Sequence, residues 1–549
     1  MFTKRITILV ATLLILATML FNSIAPANAA GSVTVNLAAP KQTIRGFGGM
    51  NHTTWISDLT DAQRTTAFGN GAGQIGMSIL RIHVDESSSN WSREIATAQR
   101  AIALGAIVFA SPWNPPASMT EVVNGQKRLR YDQYGAYVNH LNSFSSYMQQ
   151  NGAGLYAISV QNEPDYAHDW TGWTSTEMLN FMKNNAGNIQ GRVIAPESFQ
   201  YIKSMSDPIL NDAQALANMD ILGAHLYGTP LSNFPYPLFD QKGAGKERWM
   251  TEVYTDSTTD ANSWPNALEV AYNIHNSMVE AQFNAYVTWY IRRSYGMITE
   301  NGAVSKRGYS MAQYSKFVRP GYVRVDATKN PTTNVYVSAY TNNQNVVVVV
   351  VNRNTSAQSV TLSISGGTVS SLTKYTTSGS KSVANDGTVS NSGGTFTLNL
   401  DASSATTFVG TIGGTVATAT PTVAASPTRT NTPTVGPSMT PTRTNTPGTG
   451  PTNTPAASTA TPTSGSGGTC SPVSSTITAP FSYDGAGTFC WQSTNLGSYI
   501  NSWNTNSVTL NGVNVSNLYV ASGSYPAKIG GFYYIAYNSS VAWGHFEAK

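Results

Sequence analysis

Cysteine is all but missing from this chain: Cys470 and Cys490 are the only two among 549 residues. At most one disulfide can cross-link it, so the fold must stand on packing and hydrogen bonds. No histidine and cysteine gather at ligand spacing, so neither a metal nor a cofactor is expected. Charge is also scarce, at 11% of residues, and the formal +4 rests on few groups. Lys4, Arg5, Arg429 and Arg443 all lie outside the segments that read as folded, which leaves those segments near neutral. With no polybasic face there is nothing to hold nucleic acid or anionic lipid. Beyond the N-terminus no stretch is apolar for long enough to span a bilayer. Nucleic acid and membrane are thus not expected partners, and a monomer is expected.

The N-terminal exception reads as an export signal. Lys4 and Arg5 precede an apolar core over residues 6–21, and Pro26-Ala27-Asn28-Ala29 offers small residues for cleavage near Ala29. Residues 1–29 are therefore expected to be removed and the protein secreted.

A chain this long should hold two or three domains. Residues 32–45 alternate like one strand with no hairpin partner nearby. From residue 46 come eight buried-strand runs: GFGGM (46–50), ILRIHV (79–84), AIVFASPW (106–113), LYAISVQ (155–161), VIAPES (193–198), ILGAHLYG (221–228), RWMTEV (248–253) and AYVTWYIRR (285–293). Segments between them, such as SREIATAQRAIALG and NALEVAYNIHNSMVEAQF, have the apolar spacing of amphipathic helices. Eight strand–helix units over residues 46–316 predict an α/β fold, a (β/α)8 TIM barrel. Residues 317–411 shift to short alternating strands, a small antiparallel β domain that the orphan strand at 32–45 is expected to join. Its run of six valines at 346–351 invites aggregation unless buried in mid-sheet.

Residues 412–469 are Thr, Pro, Ser and Gly, with PTRTNTP occurring twice, and predict an extended, O-glycosylated linker. Residues 470–549 recover aromatics, among them Trp491, Trp503, Tyr519, Tyr533 and Trp543, and predict a small all-β module. A Cys470–Cys490 disulfide there would close a loop of about 20 residues and contribute about 3 kcal/mol.

Chemistry points to two glutamates. The fourth run ends in Gln161-Asn162-Glu163-Pro164 and the seventh in Thr251-Glu252. Carboxylates at the C-terminal ends of two barrel strands are the minimum equipment of a retaining glycosidase. Trp55, Trp113 and Trp289 stand at strand ends, where rings can stack on sugars, and His225 and Tyr227 share one face of the sixth run by period two. In WYIRRSYG the same alternation sends Arg292 and Arg293 to opposite faces.

The motifs QTIRGFGGMNHTTW, SPWNPPASM, SVQNEPD, AHLYG, MTEVYTDS and WYIRRSYG resemble glycoside hydrolase family 30, specifically its bacterial glucuronoxylanase subfamily, over roughly residues 32–411. The resemblance implies a barrel fused to a side β-sandwich, with Glu163 as acid/base and Glu252 as nucleophile. Asn162 would bind the 2-hydroxyl of the reacting sugar. Arg293, Tyr295, Trp289, Tyr254 and Ser257 would form a pocket for the (4-O-methyl)glucuronic acid branch of glucuronoxylan. Physics asks for the same division of labour. Two carboxyls about 5–5.5 Å apart cannot both ionise cheaply, and Tyr227 and Arg81 could hold Glu252 charged, which leaves the proton on Glu163. Another activity of the family, glucosylceramidase or β-1,6-glucanase, would use the same pair, and a non-catalytic polysaccharide-binding protein would be free to lose one of them.

Near the C-terminus, PFSYDGAG, YINSWN, LNGV and VAWGHFEAK resemble family 64 carbohydrate-binding modules. This implies a row of tryptophans laid on crystalline cellulose, into which Trp491, Trp503 and Trp543 fit. Tyr519 and Tyr533 occupy places where that family more often has tryptophan.

Overall fold

The computed structural model describes residues 31–166, 169–255 and 260–413, and the backbone alone of short strands between residues 500 and 537. The chain divides into two units, Met1–Pro433 and Thr434–Lys549, with the division inside the Thr/Pro-rich segment.

In the first unit all eight expected strands close into a parallel barrel. In barrel order these are Gly46–Met50, Ile79–Val84, Ile107–Pro112, Ala157–Ser159, Arg192–Ser198, Ile221–His225, Glu247–Val253 and Ala285–Thr288. Burial on both faces explains why these segments read as continuous apolar runs rather than alternating ones. Gly48 is required by the first strand: a Cβ there would lie 1.9 Å from the carbonyl oxygen of Ile79. Outside the barrel, the helix Tyr134–Gln150 buries Tyr137, Leu141, Phe144 and Met148, one face at helical spacing. Inside, Ile79, Phe109, Ala157, Ile194, Ile221, Trp249, Ala285 and Val287 pack into an apolar floor. Polar side chains such as Arg81, Ser111 and Glu197 lie one layer higher, toward the strands' C-terminal ends.

Several expected strands are shorter than their apolar runs. The fourth ends at Ser159 and the eighth at Thr288, so Glu163, Arg292 and Arg293 all sit in loops beyond the ladder. Likewise the sixth strand ends at His225, which leaves Tyr227 past it.

Residues after the last barrel helix, Lys306–Ser315, form the side domain. Its hydrogen-bonded strand order is Ala384–Ser390, Ser371–Thr377, Ser404–Gly413, Asn345–Asn352, Val335–Thr341, Val323–Ala327, Gly31–Thr43, Gln358–Ser365, Thr395–Leu400. Leu372 and Phe396, from opposite ends of that order, share one core, so the sheet folds over on itself as a sandwich. The orphan strand joins as expected, antiparallel to Val323–Ala327 and parallel to Gln358–Ser365. The valine run occupies mid-sheet between two antiparallel neighbours. Val346, Val348 and Val350 face the sandwich core, whereas Val347, Val349 and Val351 belong to the barrel's outer core. Two-sided burial is what selects six consecutive valines, and this strand fuses the two domains. The last strand runs to Gly413, with Ile412 buried and paired to Val369.

In the second unit only short strands are described: Ile500–Asn504 pairs Ser507–Leu510, Leu518–Tyr519 pairs Ala536–Tyr537, and Ala527–Ile529 pairs Phe532–Tyr534. They place Trp503, Tyr519 and Tyr533 on strands. Trp491, Trp543, Cys470 and Cys490 lie outside the described residues, as do residues 1–29, where an export signal is expected.

Candidate active site

Past Ser159 the chain turns inward through backbone and side-chain ties to its neighbours. The amide of Asn162 donates to Pro112 O at 2.8 Å and that of Glu163 to Glu197 O at 3.1 Å. Gln161 donates from Nε2 to Trp113 O at 2.8 Å and accepts from Trp173 Nε1 at 3.2 Å. Asp165 accepts from Ser198 Oγ and the amide of Phe199. These ties hold Glu163 at a φ of 42°, a left-handed conformation that costs a non-glycine residue about 1–3 kcal/mol. Its carboxyl is buried in the barrel mouth, where His225 Nδ1 lies 2.7 Å from Oε1.

Glu252 arrives by a different device. The seventh strand bulges between Met250 and Glu252 against the sixth, which re-aims the side chain. Tyr227 donates to its Oε1 at 2.8 Å and Arg81 Nη1 to its Oε2. Arg81 is the hub: wholly buried, it also reaches Asn162 Oδ1 at 2.7 Å, Glu197 Oε1 at 3.3 Å and Ser111 Oγ at 3.2 Å, under the ring of Trp113 at 4.9 Å. With its amide oxygen so engaged, Asn162 has its NH2 left to offer. Ligand atoms of Glu163, His225 and Glu252 all lie within 4.8 Å of one another. Such a set could hold a cation, but protein hydrogen bonds already engage both Glu252 oxygens and the His225 Nδ1.

These surroundings divide the two glutamates. Burial pushes the Glu163 carboxyl up to about 7, and the charge of Glu252 adds to it against the pull of His225 and Arg81. Loss of water, rather than the like charge of Glu252, is thus the first cause of the raised Glu163 carboxyl. For His225 burial opposes the charged form, yet Glu252, Glu163 and Glu197 outweigh it and raise the imidazole to about 9.

A wall of rings borders the pair. Trp55, 38% exposed, stacks on His52 at 3.9 Å and meets Trp113 and Trp289 edge-on at 5.5 and 5.8 Å. Trp113 is only 3% exposed, so much of its surface serves Arg81 and packing. On the other flank Tyr227, Tyr254 and Tyr295 follow one another at 5.5 and 5.4 Å. The loop after Thr288 separates the arginines as expected, without a strand to do it. Arg292 binds Ser57 and Gln63 and lies 3.7 Å from Glu300. Arg293 is half-buried over the Tyr290 ring at 5.1 Å, and no carboxylate among the described residues pairs with it. Ser257 lies outside the described residues.

Sequence reasoning missed Glu197, Ser111 and His52. For Glu197 a signal existed: the fifth run, VIAPES, also ends in a strand-end glutamate. His52 and Ser111 carry no such mark.

Paired carboxylates facing each other at the mouth of a parallel barrel define a glycoside hydrolase. The chain is 57% identical over 413 residues to the glucuronoxylanase XynC of Bacillus subtilis (strain 168), covering 74% of this chain and 98% of that one. The crystal structure of a GH30 endoxylanase from Clostridium papyrosolvens C71 shares 50% identity at a TM-score of 0.66, covering 69% of this chain and all of that one. The GH30 subfamily 8 xylanase Xyn30A of Clostridium acetobutylicum shares 37% at 0.63, covering 70% and 100%. Residues 472–549 match the family model of carbohydrate-binding module 64. The chain belongs to glycoside hydrolase family 30, beside the glucuronoxylanase XynC.

Proposed function

We propose that this protein is a secreted endo-β-1,4-xylanase that cuts glucuronoxylan beside its uronic acid branches with retention of configuration. The observation that carries the reading is the environment of the paired glutamates, in a chain 57% identical to a glucuronoxylanase. An Oε of Glu252, oriented by its hydrogen bonds from Arg81 and Tyr227, attacks the anomeric carbon as its bond to the glycosidic oxygen breaks. Glu163 passes its proton to that leaving oxygen. Water then gives a proton to the Glu163 carboxylate, its oxygen bonds to the anomeric carbon, and the ester to Glu252 is released. Closeness within 4.8 Å supports retention, since an inverting enzyme needs room for water between its carboxyls. Asn162 offers its NH2 to the 2-hydroxyl.

Arg293 supports the choice of substrate. A half-buried guanidinium over Tyr290 and near Tyr295, without a carboxylate partner among the described residues, suits the carboxylate of a uronic acid branch. An uncharged xylan backbone has no use for it. Arg293→Ala should fold normally and lose roughly ten- to hundredfold in kcat/KM on glucuronoxylan, as for a charged hydrogen bond of about 1.5–3 kcal/mol. Its trace activity on undecorated xylan should barely change. Equal loss on both substrates, or wild type digesting arabinoxylan as fast as glucuronoxylan, would refute the branch-reading pocket. The C-terminal module is proposed to hold the enzyme on insoluble cell-wall polysaccharide, with cellulose as its ligand.

A further inference from the structure

Beneath the paired glutamates lies a third, Glu197, which reaches the chemistry only through other side chains. It is fully buried at the end of the fifth strand, where a bulge between Pro196 and Ser198 and a φ of 58° turn it into the barrel. An anion placed so deep needs partners. Ser111 Oγ donates to its Oε2 at 2.8 Å, and Arg81 Nη2 lies 3.3 Å from its Oε1. His225 Nε2 stands 3.7 Å from that same Oε1. Both cations around Glu197 also reach a catalytic carboxylate: Arg81 bonds Glu252, and His225 Nδ1 bonds Glu163 at 2.7 Å. The carbonyl of Glu197 in turn accepts from the amide of Glu163.

We propose that Glu197 is a positioning residue of the reaction: its buried carboxylate keeps His225 an imidazolium with Nδ1–H aimed at Glu163. The proposal rests on the reading of Glu163 as acid/base. A neutral imidazole with Nδ1 bare would accept the proton of Glu163 and compete for it with the departing oxygen. The imidazolium cannot accept; it donates through Nδ1 and stabilises the carboxylate that Glu163 becomes once the leaving oxygen has its proton. During ester hydrolysis that carboxylate takes a proton from water, and the cycle returns to its start. Facing His225 are Glu163 from beyond the fourth strand, Glu197 from the fifth, Glu252 from the seventh and Tyr227 from its own segment, with Arg81 of the second strand joined to it through Glu197. Four of these also serve binding or catalysis; Glu197 alone is left over. Burial works against its charge, yet Arg81 and His225 hold it down to about 2.

The test is an imidazole NMR titration of the full chain over roughly pH 5–10, the range in which histidine switches, with His225 assigned from the His225→Gln spectrum. Wild-type His225 should stay protonated through neutrality. In Glu197→Gln its titration should fall by at least about one pH unit. That variant should lose about tenfold or more in kcat with KM little changed, and its alkaline limb on glucuronoxylan should move. Glu197→Asp keeps the charge and should restore part of both, and it serves as the probe should the glutamine variant fail to fold. Unchanged titration of His225 in both variants overturns the proposal, as does an activity loss with an unmoved pH profile. Full activity in Glu163→Gln would instead defeat the acid/base reading alone, whatever His225 does.

Discussion

At the scale of single residues, Glu163 and Glu252 are alike in the sequence and unlike in the fold. Glu252 has both oxygens engaged by Tyr227 and Arg81, whereas Glu163 is buried against one imidazole. Glu252→Gln should therefore lose nearly all turnover. Glu163→Gln should retain cleavage of aryl glycosides with good leaving groups, which need little protonation. Unchanged activity of Glu252→Gln on any substrate would refute the nucleophile assignment. The proton on Glu163 also sets a pH limit. Raised to about 7, it is present below that pH and lost above it, so kcat/KM should decline on the alkaline side from near neutrality. A profile flat to pH 9 would contradict this.

At the scale of elements, the loop at residues 51–59 carries Trp55 and hangs on two acids, the half-buried Asp58 and the buried Glu94. Asp58 accepts from Asn51 Nδ2, the amide of Leu59 and Arg64 Nη2, while Thr53 Oγ1 donates to Glu94. Burial pushes Glu94 up to about 8, and Asp58 and Asp85 nearby oppose its ionisation as well. The folded protein thus keeps a proton that the unfolded chain releases near the ordinary glutamate value of about 4.3. Folded-state stability from this group is intact below that value and falls as pH rises toward 8. Glu94→Gln, neutral throughout, should melt close to wild type at about pH 5 and higher by about 2 °C or more at pH 8. A gap equal at both pH values would show that ionisation is not the cause.

For the whole molecule the matter is tethering. The matched module at residues 472–549 follows a Thr/Pro segment, and binding through such a tether raises the local concentration of catalyst without new contacts to the barrel. Removing residues 414–549, a cut that spares the buried Ile412, should leave activity on soluble glucuronoxylan intact and reduce it on insoluble cell wall. Trp503→Ala should weaken adsorption to cellulose by about 1–2 kcal/mol, the worth of one aromatic platform. No adsorption of the intact protein to any insoluble polysaccharide would end the tethering argument.

Eight apolar runs, the switch to short alternating strands after residue 316 and the pair of glutamates were legible in the sequence, although only Glu252 lies on its strand and Glu163 stands in the loop past Ser159. They depend on periodicity and local chemistry, which neighbouring residues carry. The orphan strand's membership in the side domain was legible by elimination, and the mid-sheet place of residues 346–351 from their composition, while their burial on both faces was not. Strand ends and bulges were not. The bulges at Glu197 and Glu252 break period two, because parity there is set by pairing with the next strand across the barrel. Nor could the sequence assemble Arg81, Ser111, Glu197 and His225 around one point, since they come from four strands far apart in the chain. The proton on Glu163 was expected from like charge, but its first cause, burial acting against the pull of His225 and Arg81, is a property of that packing, which only the tertiary structure decided.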